Sequence, residues 1–172
     1  MSKFLDKDIL CAIGLGAVSG VCGTIAMDAL WYKRYREGGG NQGIATWEFA
    51  QSVTGWDNAT DPGKVGAKVF QLVTRRPAPD SWARPASNVV HWLTGAGWGV
   101  QYSLLNRKVG RDGVALALLL GPSAWISSYV VRPLLGVYKP IWKYDARTLA
   151  KDFSAHMLYG VVTAGALKVV ST

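Results

Sequence analysis

Nineteen consecutive residues, Ile9 to Met27, carry no charge, and the next ionisable side chain is Asp28. A run of that kind is hard to place in a water-soluble fold unless it is wholly buried. It recurs. Between Arg84 and Arg107 lie 22 residues whose one acid, base or imidazole is His91, and between Asp112 and Arg132 lie 19 with none. An α-helix rises about 1.5 Å per residue, so about 20 apolar residues cross a bilayer core. All three segments have that length. A fourth, between Asp152 and Lys168, has only 15 residues. It crosses if Lys168 snorkels and Asp152 sits at the rim or faces protein; otherwise it is a buried or re-entrant helix.

A soluble helical protein is the alternative, and the mean hydropathy of +0.13 is low. A polar stretch of about 50 residues between the first two segments accounts for that average and leaves the runs themselves apolar. A cleaved signal peptide fits the N-terminus poorly. "MSKFLDKD" is charge-balanced, no small-x-small site follows, and Trp31 and Tyr32 end the segment as interfacial anchors.

These features predict an all-α integral membrane four-helix bundle built as two helical hairpins. The spans fall at about 9–31, 85–106, 113–132 and 152–169. Loop 33–83 should carry one or two short amphipathic helices, near 44–53 and 62–75, after a flexible break at "EGGGNQG". The second begins at a helix-start signal and repeats Val65, Val69, Leu72 and Val73 at helical spacing.

The net charge of +8 could suggest a nucleic-acid partner. Its distribution points to topology instead. Thirteen of the 19 basic residues fall in the two loops 33–84 and 132–151. Positive-inside counting places both long loops in the cytoplasm and both termini outside, against a competing "RKVGR" at 107–111. Lys33, Arg34 and Arg36 would meet lipid headgroups, and Trp31, Tyr32, Tyr35, Tyr138, Trp142 and Tyr144 would form the cytoplasmic aromatic belt. Cys11 and Cys22 stand three turns apart on one helix and cannot form an internal disulfide.

Small residues recur every fourth position. Ala12, Gly16 and Gly20 do so on the first span, Gly95 and Gly99 on the second, Gly160 and Ala164 on the last. Such faces let helices approach closely in lipid, within one chain or in a homo-oligomer. "HWLTG" at 91–95 and "HMLYG" at 156–160 share His-x-Leu-x-Gly, which suggests a parallel repeat with a pseudo-two-fold axis along the membrane normal. His91 and His156 would then lie at similar depth.

Asp28, His91, Arg132, Asp152 and His156 all fall near the loop-side ends of the four spans. Four readings follow. The cluster is a structural polar network, with Asp28 on Arg132, Asp152 on His156 and His91 on a nearby hydroxyl or carbonyl. It is an ion, proton or solute pathway, with the broken "GPS" at 121–123 as a hinge. It holds a b-type haem between His91 and His156. Or it is a metal-dependent enzyme using Asp28, Asp152 and both histidines, for which no HExxH-like signature is present.

"MDALWYKRYR" at the end of the first span and "DFSAHMLYGVVTAG" in the last resemble the YagU-like bacterial inner-membrane proteins. That resemblance implies an inner-membrane location and brings no activity or catalytic residues. The expectation is therefore a small structural or accessory component of a membrane assembly. Its partners would be lipid and other membrane subunits or itself. No catalytic residue, metal ligand or cofactor is assigned. A small transporter or channel is the alternative and a haem-binding subunit the further one.

Overall fold

The computed structural model describes residues 7–109 and 114–171. Lys3, Arg111 and the start of the third expected span at residue 113 lie outside them. Among the described residues the chain is all-helical, with no strand. Six α-helices follow one another: α1 (Lys7–Glu37), α2 (Ile44–Glu48), α3 (Asp61–Thr74), α4 (Ala83–Val109), α5 (Val114–Leu134) and α6 (Ala146–Val170). Contacts divide the chain into two units.

The first unit falls within 1–27, 94–126 and 146–172, and holds parts of the four long helices. Its core is Tyr102, Leu120, Tyr159 and Leu167, with Leu15, Trp98 and Leu116 packed against them. Around that core the helices meet through glycine. A Cβ placed on Gly16 would lie 2.7 Å from the Gly99 carbonyl oxygen, and one on Gly20 would lie 3.0 Å from the Ala96 Cα. Cβ atoms on Gly121 and Gly160 would come within 2.6 Å of the opposite backbone, at the His156 oxygen and the Gly121 nitrogen. Main chain therefore faces main chain along α1–α4 and α5–α6, as small residues permit in lipid. Gly95 faces Thr24 across the first seam, and the Tyr159 hydroxyl donates to the Gly95 carbonyl at 2.7 Å.

Beyond that core the buried positions are small or hydroxylated: Ala12, Ser19, Thr24, Ser103, Ala155 and Thr163. Ser19 and Thr24 satisfy their hydroxyls on the carbonyls one turn back, Leu15 at 2.8 Å and Gly20 at 2.9 Å. The outward positions are large and apolar. Val18, Ile25, Leu118, Leu119 and Val161 are all more than half exposed. In water such a belt would be a liability, whereas lipid tails accept it.

Among the described residues, three helices are long and apolar enough to cross a membrane: α1, α5 over Ala115–Leu134, and α6. The marginal crossing is not where the sequence placed it. The last helix starts at Ala146, so Arg147, Lys151 and Asp152 are its first turns, and its 25 residues suffice. It is α4 that falls outside this set. Its 27 residues are long enough, but Arg84, Asn88, His91, Gln101 and Asn106 dilute its apolar content. The expected break at "GPS" is also absent, since α5 runs unbroken through Pro122. Proline removes one backbone donor, and a helix in lipid can accommodate that loss.

The second unit falls within 28–93 and 127–145. Its small core is Ala50, Val53, Ala59 and Ala83, with Trp56 laid against it and donating from Nε1 to the Ala78 carbonyl at 2.9 Å. The expected helix over 44–53 stops at Glu48, and the chain turns through Ala50 at φ 46°. The expected helix over 62–75 forms as α3, which starts after Thr60 with Pro62 in its first turn and is ended by Arg75 in the left-handed region. Gly63 faces Ser87 of α4, whose hydroxyl accepts from the Thr60 amide at 3.3 Å and donates to the Ala83 carbonyl at 2.8 Å. "EGGGNQG" is not a loose break. Gly39 turns at φ 91°, Gly40 lies on the Tyr35 ring, and the Tyr35 hydroxyl accepts from the Asn41 and Gln42 amides at 3.1 Å.

The glycine seams make a direct prediction. Gly99→Val should lower the thermal stability of the detergent-solubilised protein, by about 1–3 kcal/mol as in other overpacked contacts. Gly14→Ala, where nothing lies within 4 Å of the added methyl, should leave it unchanged or slightly raised. Equal melting temperatures for the two variants would show that the seam does not set the helix spacing.

Candidate functional site

The second unit brings three ionisable side chains together from three helices. Asp28 comes from α1, Glu48 ends α2, and His91 lies on α4. His91 Nε2 is 2.7 Å from Asp28 Oδ2, and Asp28 is 6% exposed. One ligand atom from each of the three lies within 4.8 Å of the others. Glu48 keeps its Oε1 buried without a hydrogen-bond partner.

Local structure explains the convergence. Residues four and seven apart share a helix face. On α1 that face carries Asp28, Tyr32 and Tyr35. The two tyrosines receive Trp47 of α2, with ring centroids 5.5 and 6.1 Å away. Tyr32 also donates to the Gln42 carbonyl at 3.0 Å, fixing the chain that leads into α2. On α4 the matching face carries Arg84, Asn88 and His91. Asn88 Nδ2 donates to the Phe49 carbonyl at 3.0 Å and to the Arg84 carbonyl at 2.9 Å. The residues on either side of Glu48 are thus held, one by α1 and the other by α4, and Glu48 is aimed at Asp28 and His91.

Two carboxyls this close resist ionising together. Burial first, and then the charge on Asp28, push the Glu48 carboxyl up to about 7; the nearby His91 pulls the other way. With Glu48 protonated, its hydroxyl can donate to Asp28, while Asp28 accepts from His91. Arg132 acts on His91 electrostatically. Its guanidinium lies 4.9 Å over the Tyr138 ring, within a tyrosine group completed by Tyr129 and Tyr144.

The pairings differ from those expected. The partner that Asp28 takes is His91 rather than Arg132. Asp152 and His156 do pair, in the first unit. His156 Nδ1 lies 2.9 Å from the Asp152 carbonyl and 3.4 Å from its Oδ1, a contact within one helix. His91 engages through Nε2 and His156 through Nδ1, each with its own aspartate. Of the basic residues expected at headgroups, Lys33 pairs with Glu37 at 3.8 Å and Arg34 lies 5.1 Å over the Trp31 ring; Arg36 lies in the last turn of α1.

Glu48 was the residue that sequence reasoning missed. The signal was present. Glu48 is the one ionisable residue between Glu37 and Asp57, and it sits between Trp47 and Phe49. A lone acid flanked by aromatics in an apolar stretch needs a partner elsewhere in the fold.

No family model, curated protein or solved structure matches this chain. What the site can do therefore follows from its geometry. It can hold a proton between two carboxyls, or a cation among three donors.

Two outcomes follow. His91→Ala leaves the buried Asp28 carboxylate without its donor and should cost about 1–3 kcal/mol. His156→Ala breaks a contact between neighbours on one helix and should cost about 0.5 kcal/mol or less. Thermal unfolding in detergent orders the two, and the reverse order would contradict the geometry.

The second concerns pH. A carboxyl whose folded pKa lies above its unfolded value favours folding most at low pH, and that contribution is lost as pH rises. Glu48 moves from the ordinary 4.5 to about 7. In chelator-treated buffer its contribution to stability should fall between those two values as pH rises. Glu48→Gln should remove that component of the slope. An unchanged pH profile in this variant would show that Glu48 titrates normally.

Proposed function

We propose that this chain is a small multi-pass membrane protein, structural or accessory in a bacterial inner-membrane assembly. In this reading it crosses four times. α4 forms the remaining crossing beside α1, α5 and α6, and both long loops lie in the cytoplasm. The observation that carries the reading is the pattern of burial in the first unit: helix seams of glycine, serine and threonine around a few large core side chains, with many valines, isoleucines and leucines outside. That pattern suits a chain whose solvent is lipid and whose helices pack by shape. The resemblance to YagU-like proteins belongs to the same reading.

The second unit supplies the accessory character. Its loop is folded: α2 is tied to α1 and α4, and α3 is seated on α4 through Gly63 and Ser87. A fixed face at a membrane surface is what a partner subunit, or a second copy, can recognise. α3 also leaves Val69, Leu72 and Val73 exposed beside Lys68 and Arg75, as a helix lying at the headgroup level would.

A second reading is kept because Asp28, Glu48 and His91 form a cluster of proton-carrying groups. Acid–imidazole chains in membranes serve as proton or cation relays.

Purification from native membranes after mild cross-linking separates the two. An accessory role predicts partners, or further copies, at fixed stoichiometry. A protein that purifies alone as a monomer, and gives liposomes a proton or cation flux abolished by His91→Ala, would replace the accessory reading with the relay.

A further inference from the structure

We infer that Asp28, Glu48 and His91 form a binding site for a divalent transition-metal ion, and that the ion fastens α2 to α1 and α4. Among the described residues this is the one group of three carboxylate or imidazole donors that converge within 4.8 Å. The inference goes beyond the accessory role and needs only the fold of the second unit.

Geometry comes first. Oxygen and imidazole donors sit about 2.0–2.2 Å from an ion such as zinc, so neighbouring donors stand about 3.4 Å apart around it. From an upper bound of 4.8 Å, the widest separation here has to close by about 1.4 Å at most, divided among three side chains. The 2.7 Å hydrogen bond between His91 and Asp28 has to open by less than that. Rotamer adjustment covers such movements without moving a helix.

Chemistry comes second. Glu48 presents a buried oxygen with nothing to accept from. A buried acceptor left unsatisfied is costly, and a cation is the partner that satisfies two carboxylates at once. Two carboxylates and one imidazole make a mixed set of hard and borderline donors. Calcium and magnesium prefer all-oxygen shells, whereas zinc and iron accept the nitrogen. Three protein donors leave a fourth position open. Arg132 sets a fixed positive charge near His91, so net charge alone does not hold the ion and short directional bonds must contribute.

The consequence is mechanical. α2 is five residues long, and Glu48 is its last. A helix of that length has little stability by itself. An ion bound through Glu48 joins it to two long helices and orders the face that the loop presents. Ligands must be deprotonated to bind, so an incoming ion releases whatever proton the cluster holds.

The test uses the full chain in detergent, without a histidine tag and stripped with chelator. Zinc chloride is titrated calorimetrically, and thermal unfolding is recorded with and without zinc. The expected result is one ion per chain, a raised melting temperature, and slower proteolysis of loop 38–55. Glu48→Gln, which keeps shape and removes a ligand, should weaken zinc binding at least about tenfold, as should His91→Gln. His156→Gln should bind like the wild type. If His91→Gln fails to fold, Glu48→Gln decides alone. No binding by the wild type, wild-type affinity in Glu48→Gln, or an equal loss in His156→Gln would each overturn the site. Partner purification is independent of all three outcomes, so the accessory reading and this one fail separately.

Discussion

Two helices can approach only as closely as the side chains between them allow, and in the first unit that limit is set by glycine. Gly16 and Gly20 face Gly99 and Gly95, and Gly121 faces Gly160. With no side chain between them, main chains meet and dispersion acts over the length of the contact. Along these seams nothing large is needed inside; the few large buried side chains gather at Tyr102, Leu120, Tyr159 and Leu167, and many other large apolar side chains face outward. This division of labour reverses that of a water-soluble bundle. It also explains why the buried hydroxyls of Ser19 and Thr24 turn back on their own helix. Close approach of the main chains leaves those two hydroxyls the carbonyls of their own helix, whereas the Tyr159 hydroxyl reaches the Gly95 carbonyl from α6.

The second unit rests on a different force. Asp28 is buried at the base of a folded loop, and a buried carboxylate must find a donor. His91 provides it. Arg132 could have served by charge alone, but its guanidinium is laid over Tyr138. An imidazole is also the shorter and stiffer group, so it holds a defined position against α1. That fixed pair is what gives Glu48 a site to reach.

The sequence made the helical class and the close-packing residues legible because both depend on local pattern. Uncharged length marks a long helix, although in α4 polar residues dilute it below a candidate crossing, and four-residue spacing puts small residues on one face. Element boundaries near the loops were less legible. α6 gains two turns before Asp152 because Arg147 and Lys151 are good helix formers, although hydropathy counts them as loop. α2 loses its second half because the chain must turn at Ala50 to bury that residue with Val53 and Ala59. Pairing was the least legible of all. Charge arithmetic alone could match Asp28 with Arg132 as well as with His91. The choice depends on which faces of α1 and α4 meet, and no local pattern encodes that. Glu48 was hidden for the same reason, since its partners lie 20 and 43 positions away in the chain.

The short helix α2 shows why stability and site are hard to separate here. Five residues cannot hold a helix by propensity. Trp47 gains its place on Tyr32 and Tyr35, and the Phe49 carbonyl gains its donor from Asn88. Those two contacts are neutral and spend no charge. Glu48, fixed between them, is thereby carried toward a carboxylate that repels it. The packing on either side is strong enough to hold that opposition in place. The folded loop therefore stores an electrostatic conflict between Asp28 and Glu48 that either a proton or a cation can resolve. Packing that tolerates a charge conflict this close to an imidazole is better explained by an occupant that relieves it than by the needs of the loop, which Trp47 and Asn88 already meet.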